Sequence, residues 1–158
     1  MTETAMNAKS SQLKIYLSEG AAWLLGVLFT YTAVSKVYDW RETRFSLYNQ
    51  WLPEWLTEAL LYGLPLVEVF VALSLLIPSF RKFGFLASIF LMLAFTGYVA
   101  WVWFGLTGRM PCSCGGVLNS LGWGEHLIFN LVFLGISIIG YWNHGKVRKK
   151  VRSLKEEV

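Results

Sequence analysis

Charge is scarce in this sequence. Of its 158 residues only 15% are Asp, Glu, Lys or Arg, where an average soluble domain carries about 25%. Disorder is excluded, because a disordered chain needs abundant charge and few apolar residues. Also lacking are internal repeats, low-complexity tracts and any period-two alternation, and without the last there is no outer-membrane strand pattern. No small-x-small site follows the first apolar run, and the leader Met1–Lys14 is polar and carries Glu3. The run is therefore read as a retained span and not a cleaved signal peptide. What fills the chain is apolar mass: 55% hydrophobic residues, 16% aromatic, eight Trp and a mean hydropathy of +0.47. A soluble globule is a poor fit to that composition.

The apolar residues fall into four long stretches. Gly20 to Ser35 is 16 residues without a charge, and Ala59 to Phe80 is 22 residues with one, Glu68. Phe83 to Gly108 is 26 residues with none, and Leu127 to Asn143 is 17 with none. A membrane-spanning helix needs about 20 such residues. The expected fold is an all-α, integral membrane four-helix bundle with spans near 16–37, 58–78, 83–106 and 121–143. Residues 1–15 and 144–158 flank one membrane domain over 16–143, leaving no room for a second.

Lys and Arg counts in the loops predict sidedness. The N-terminal segment, the second loop and the C-terminal tail hold ten of them, against four (Lys36, Arg41, Arg44 and Arg109) on the other side. Both termini are expected in the cytoplasm and the third loop outside, as for a bacterial inner membrane protein. The basic tail reads as a topology anchor beside anionic lipid, and nucleic-acid binding is a poor second. The first outer loop, Lys36 to Thr57, places Phe45, Tyr48, Leu52 and Trp55 at spacings of three and four, with Trp40 and Trp51 nearby. That pattern predicts a short amphipathic interfacial helix ending near Pro53, packed as a lid across the outer end of the bundle; a partner-docking surface is the alternative.

Chemistry is concentrated in few residues. The two cysteines are Cys112 and Cys114, between Pro111 and the Gly115-Gly116 pair in the third loop. A disulfide within Cys-x-Cys closes a very small ring, which suits exchange better than cross-linking. Structural thiols and metal ligands completed by His126 or Glu125 are the competing readings. Zinc fits less well, since structural zinc wants four ligands at wider spacing. A dithiol-to-quinone relay usually uses two cysteine pairs, so a single pair needs a direct membrane acceptor or a separate thioredoxin-like partner. Glu68 lies near mid-membrane, where a carboxylate is costly unless paired, neutral or functional. Pro65 frees the Leu61 carbonyl one turn away. Side chains lean toward a helix N-terminus, so Lys36 at the end of the first span and Glu68 on the antiparallel second span lean toward each other. The expectation is a pair, or a bracketed polar pocket, that fixes packing or takes a ligand or proton. His126, at the start of the fourth span, reads as an interfacial residue or as a proton acceptor favouring a thiolate. Asn130 needs an interhelical partner, whereas membrane Ser and Thr commonly bond their own backbone.

Gly26-Val-Leu-Phe, Ser35-Lys-Val-Tyr-Asp39, Leu64-Pro-Leu-Val-Glu68 and Cys112-Ser-Cys-Gly-Gly116, ahead of a span with Asn130, resemble the MauE branch of the DoxX-like membrane proteins over residues 20–143. The resemblance implies a four-helix membrane bundle. It also implies a role beside a thioredoxin-like partner in forming disulfides of an exported dehydrogenase subunit during methylamine utilisation. Related DoxX and DoxD proteins imply thiosulfate and quinone redox chemistry. By this likeness Cys112 and Cys114 match the family's Cys-x-Cys, Glu68 its second-helix acid, and Lys36 and Asp39 its Ser-Lys-x-x-Asp. Where the family often shows Cys-Gly-Cys-Phe-Gly, this chain has Cys-Ser-Cys-Gly-Gly. The function expected is a membrane component of an extracytoplasmic thiol–disulfide pathway. Cys112 and Cys114 are the reactive pair, and Glu68, Lys36 and His126 line a pocket for a quinone. The alternatives are an assembly scaffold working through the Trp-rich outer face and a carrier using Glu68.

Overall fold

The computed structural model describes residues 2–50, 52–105 and 122–156, with side chains described over 12–50, 52–105, 122 and 124–145. Its described residues form five helices and no strand: α1 (Thr2–Tyr38), α2 (Trp40–Tyr48), α3 (Glu54–Leu76), α4 (Arg81–Trp103) and α5 (Trp123–Glu156). Four of them contain segments long and apolar enough to cross a membrane: Gln12–Tyr38, Glu54–Leu76, Arg81–Trp103 and Gly124–Gly145. The protein is a multi-pass, four-helix membrane bundle, as expected.

The helix ends follow from local chemistry. Pro53 precedes α3 with an extended backbone (φ −64°, ψ 146°), and its carbonyl accepts from the amides of Leu56 and Thr57. Proline lacks only a donor that a first turn does not need, so α3 starts at Glu54, five residues before the apolar run that begins at Ala59. Its far end is set by Pro78, which pushes the preceding residue out of the helical region; Ile77 is extended, at ψ 114°. α3 runs uninterrupted through Pro65. α4 stops at Gly105, whose φ of +70° is left-handed. That conformation costs glycine little and lets its amide bond back to Val102 at 3.0 Å. α1 and α5 both continue well beyond their apolar windows, because polar residues that cannot enter lipid can still form helix.

α1 packs on α3 and α5, and α4 packs on α3 and α5, closing an up-down-up-down ring. Ala21, Ala22, Leu25 and Phe29 of α1, Val71, Ala72 and Leu75 of α3, and Phe85 and Met92 of α4 form the core. Apolar burial gives little drive between helices that could equally face lipid tails, so close backbone approach matters more. Gly84 sits where a Cβ would lie 2.8 Å from the Leu75 nitrogen, and Gly140 lies against the Phe85 ring. The outer surface of the spans is apolar, with Trp23, Val27, Leu66, Phe70, Phe90 and Ile128 all exposed. A soluble protein rarely shows such a continuous apolar surface. Hydroxyls inside the spans bond their own helix: Thr30 to the Gly26 carbonyl, Ser74 to Phe70, Ser88 to Gly84 and Ser137 to Phe133, each at 2.8 Å.

The short helix after α1 is real but differs from the expected lid in two ways. α2 ends at Tyr48, before Pro53, so Trp55 belongs to α3. Its buried residues are Thr43 and Ser46, while Phe45 is 62% exposed. In water an amphipathic helix turns its apolar face to the core; here the polar face meets the polar end of the bundle and the aromatic face looks outward. α2 is held to α3 by Trp40 against Tyr62, ring centroids 5.3 Å apart, and by Tyr48 Oη donating to Glu58 at 3.4 Å. Trp51 lies outside the described residues.

Candidate functional site

The α2 end of the bundle contains a buried ion pair. Lys36 is in the last turn of α1, and Glu68 is on α3, which runs the opposite way. Lys36 Nζ donates to Glu68 Oε1 at 2.8 Å and to Oε2 at 3.1 Å. It also donates to the Thr32 carbonyl at 3.3 Å, so all three ammonium protons have acceptors. Glu68 is 1% exposed and the Lys36 side chain 17%. The Thr32 hydroxyl donates to the Phe29 carbonyl at 3.1 Å. The Thr43 hydroxyl of α2 donates to the Lys36 carbonyl at 3.3 Å, tying the roof to the helix that carries the cation. Buried Thr57 and Leu61 lie above Glu68 on α3. The predicted leaning of the two side chains is what brings them together.

α5 contributes the third ionisable group. His126 is half-buried in its first full turn, at the bundle end where α1, packed antiparallel against α5, finishes with Lys36. Asn130 is one turn deeper on the same face and is 4% exposed. Three of the four spans thus bring Lys36, Glu68 and His126 to one end of the bundle. Such groups can hold a polar headgroup or exchange protons with one.

Cys112 and Cys114 lie outside the described residues, as does Arg109. The chain leaves α4 at Gly105 and enters α5 after Gly122, both at the α2 end of the bundle, where Trp103 packs 3.7 Å from the place of a Cβ on Gly124. Glu125 accepts from the Gly122 amide at 3.0 Å, closing the first turn of α5.

Sequence reasoning missed a second ion pair, at the opposite end. Arg81 opens α4 and is 8% exposed; its Nη1 pairs with Glu19 of α1 and its Nε donates to the Leu75 carbonyl at 3.1 Å. It thereby caps the C-terminal end of α3 with positive charge and joins three helices. The signal was present: Glu19 is the one acid in the extended first apolar stretch, and Arg81 falls at the same end of the bundle.

No curated protein and no solved structure matches the chain. A family model does, that of methylamine utilisation protein MauE, over residues 14–143. This match takes in all four spans, the polar cluster and the Cys-x-Cys segment, and so the chain belongs to the MauE family.

Proposed function

We propose that this protein is the membrane component of an extracytoplasmic thiol–disulfide pathway, in the bacterial inner membrane with both termini in the cytoplasm. Cys112 and Cys114 cycle between dithiol and disulfide. A thioredoxin-like partner exchanges with them from outside, and a lipid-soluble quinone serves as co-substrate from the bilayer side. Closing the disulfide releases two electrons and two protons, and a quinone that takes up both leaves as the quinol. Lys36, Glu68 and His126 shape the pocket beneath the loop. One observation carries this reading. The buried Lys36–Glu68 pair sits at the bundle end where α4 stops and where α5 begins, with His126 in its first turn. The His126 ring N–H suits a quinone oxygen, and its place in the first turn of a span suits a ligand that arrives through lipid.

Mass-shift alkylation of thiols in native membranes tests it. The pair should be trapped partly oxidised and should become fully reduced when quinone is depleted. A Cys112→Ser, Cys114→Ser double variant should lose disulfide formation in the exported substrate, and unchanged activity in that variant would sink the proposal. A second reading, an assembly scaffold, draws on the outward aromatic face of α2 and neighbouring Trp55, which is 71% exposed. A stable partner that co-purifies regardless of both cysteines would favour it.

A further inference from the structure

Asn130 is unusual among the buried polar groups of this bundle. Its Nδ2 has no hydrogen-bond partner among the described residues, a condition shared only with the Ser18 hydroxyl toward the other end. A primary amide offers two N–H donors, and leaving them bare in a packed interior is costly enough that native structures rarely do so. The residue is not turned to lipid: Ile128, Leu131 and Val132 occupy the exposed side of α5, while Asn130 and Ser137 are buried. Four residues apart, His126 and Asn130 share a face, and the start of α5 lies at the same end of the bundle as Lys36 at the end of α1. The Lys36 ammonium already spends its protons on Glu68 and the Thr32 carbonyl. An unspent buried donor one turn below His126 is therefore the Asn130 Nδ2 group.

Its chemistry defines the ligand. A donor asks for an acceptor oxygen. An anion would lose its hydration inside the spans and meet the Glu68 carboxylate, whose counter-charge is already taken. A neutral carbonyl has neither problem. We propose that Asn130 is a binding residue for a neutral carbonyl oxygen delivered from the bilayer, either that of a quinone ring or that of a phospholipid acyl ester. The redox meaning of the site rests on the function proposed above; the binding does not require the cysteines.

The test uses the full chain carrying Cys112→Ser and Cys114→Ser, purified in detergent and delipidated, so that thiol chemistry cannot contribute. Thermal unfolding is followed with a short-chain benzoquinone, with a diacyl phosphatidylglycerol, and with its dialkyl-ether analogue, which lacks the ester carbonyl. Asn130→Leu, similar in shape and without donors, should leave the unliganded Tm unchanged or raise it. It should also weaken binding of the carbonyl probe about tenfold, the value of one hydrogen bond. Loss of the benzoquinone response assigns the oxygen to a quinone. A response to the diacyl lipid and not to the ether lipid, lost in the variant, assigns it to a phospholipid. A lower unliganded Tm, or failure of Asn130→Leu to fold, overturns the proposal, because the amide is then bonded within the chain. Equal responses with and without the substitution overturn it too, as does a chain with Asn130 that neither carbonyl probe stabilises.

Discussion

At the scale of single residues, the Lys36–Glu68 pair is the centre of this molecule. Taking two charges out of water is expensive, and their attraction repays it only in good geometry. Here both carboxylate oxygens and all three ammonium protons are used. Removing one partner leaves the other buried and unpaired, so Glu68→Gln should cost roughly 3–5 kcal/mol of stability. The combination Lys36→Met with Glu68→Leu should recover most of that loss, since an apolar pair fits the same space. A double-mutant cycle of unfolding in detergent reads both. If Glu68→Gln costs less than about 1 kcal/mol, water reaches the pair and the packing argument fails. The pair was legible from sequence because a lone carboxylate among apolar residues has few ways to exist. The Glu19–Arg81 pair was not, because charges at the edges of spans usually find water and seldom demand a partner.

At the scale of helices, close approach decides the packing. A Cβ on Gly84 would lie 2.8 Å from a backbone nitrogen and 2.9 Å from a backbone carbon of α3, neither of which can move aside. Gly84→Ala should therefore push α4 from α3 and cost about 1–3 kcal/mol. Gly140→Ala meets the fully buried Phe85 ring, and should destabilise to a similar degree unless the ring swings away. Gly97 and Gly135 have nothing within 4 Å, so alanine there should be neutral or stabilising by up to about 1 kcal/mol through helix propensity. Melting curves of the four variants check this ordering; a Gly84→Ala chain as stable as Gly97→Ala would contradict it. α2 shows where pattern reading stops. The spacing of Phe45 and Tyr48 correctly indicated an amphipathic helix, but not which way it turns. That depends on what lies beneath, and beneath it is a lysine carbonyl capped by Thr43.

At the scale of the whole molecule, the fold sets which segments share an end of the bundle. α2, the ion pair and both ends of the segment 106–121 share one end, and the extended ends of α1 and α5 share the other. With ten of the fourteen Lys and Arg in the N-terminal segment, the second loop and the C-terminal tail, the positive-inside rule predicts that the cysteines lie outside, as the proposed function requires. A membrane-impermeant maleimide applied to spheroplasts after mild reduction should label Cys112 and Cys114. A Ser153→Cys residue in the Cys112→Ser, Cys114→Ser background should react only after permeabilisation. Labelling of Ser153→Cys in sealed spheroplasts would invert the topology and remove the cysteines from the oxidising side.

The sequence by itself determined the solvent, the four spans and the few residues able to carry chemistry. Those depend on hydropathy, helix length and the cost of charge in lipid, which are local quantities. Only the tertiary structure decided which of those residues meet. It set the Lys36–Glu68 distance, brought His126 of a distant helix to the same end of the bundle, turned the polar face of α2 inward and left the Asn130 Nδ2 without a partner among the described residues. Each of these depends on how four antiparallel helices rotate and slide against one another. That is settled by glycine-sized contacts between distant parts of the chain, which no run of neighbouring residues encodes.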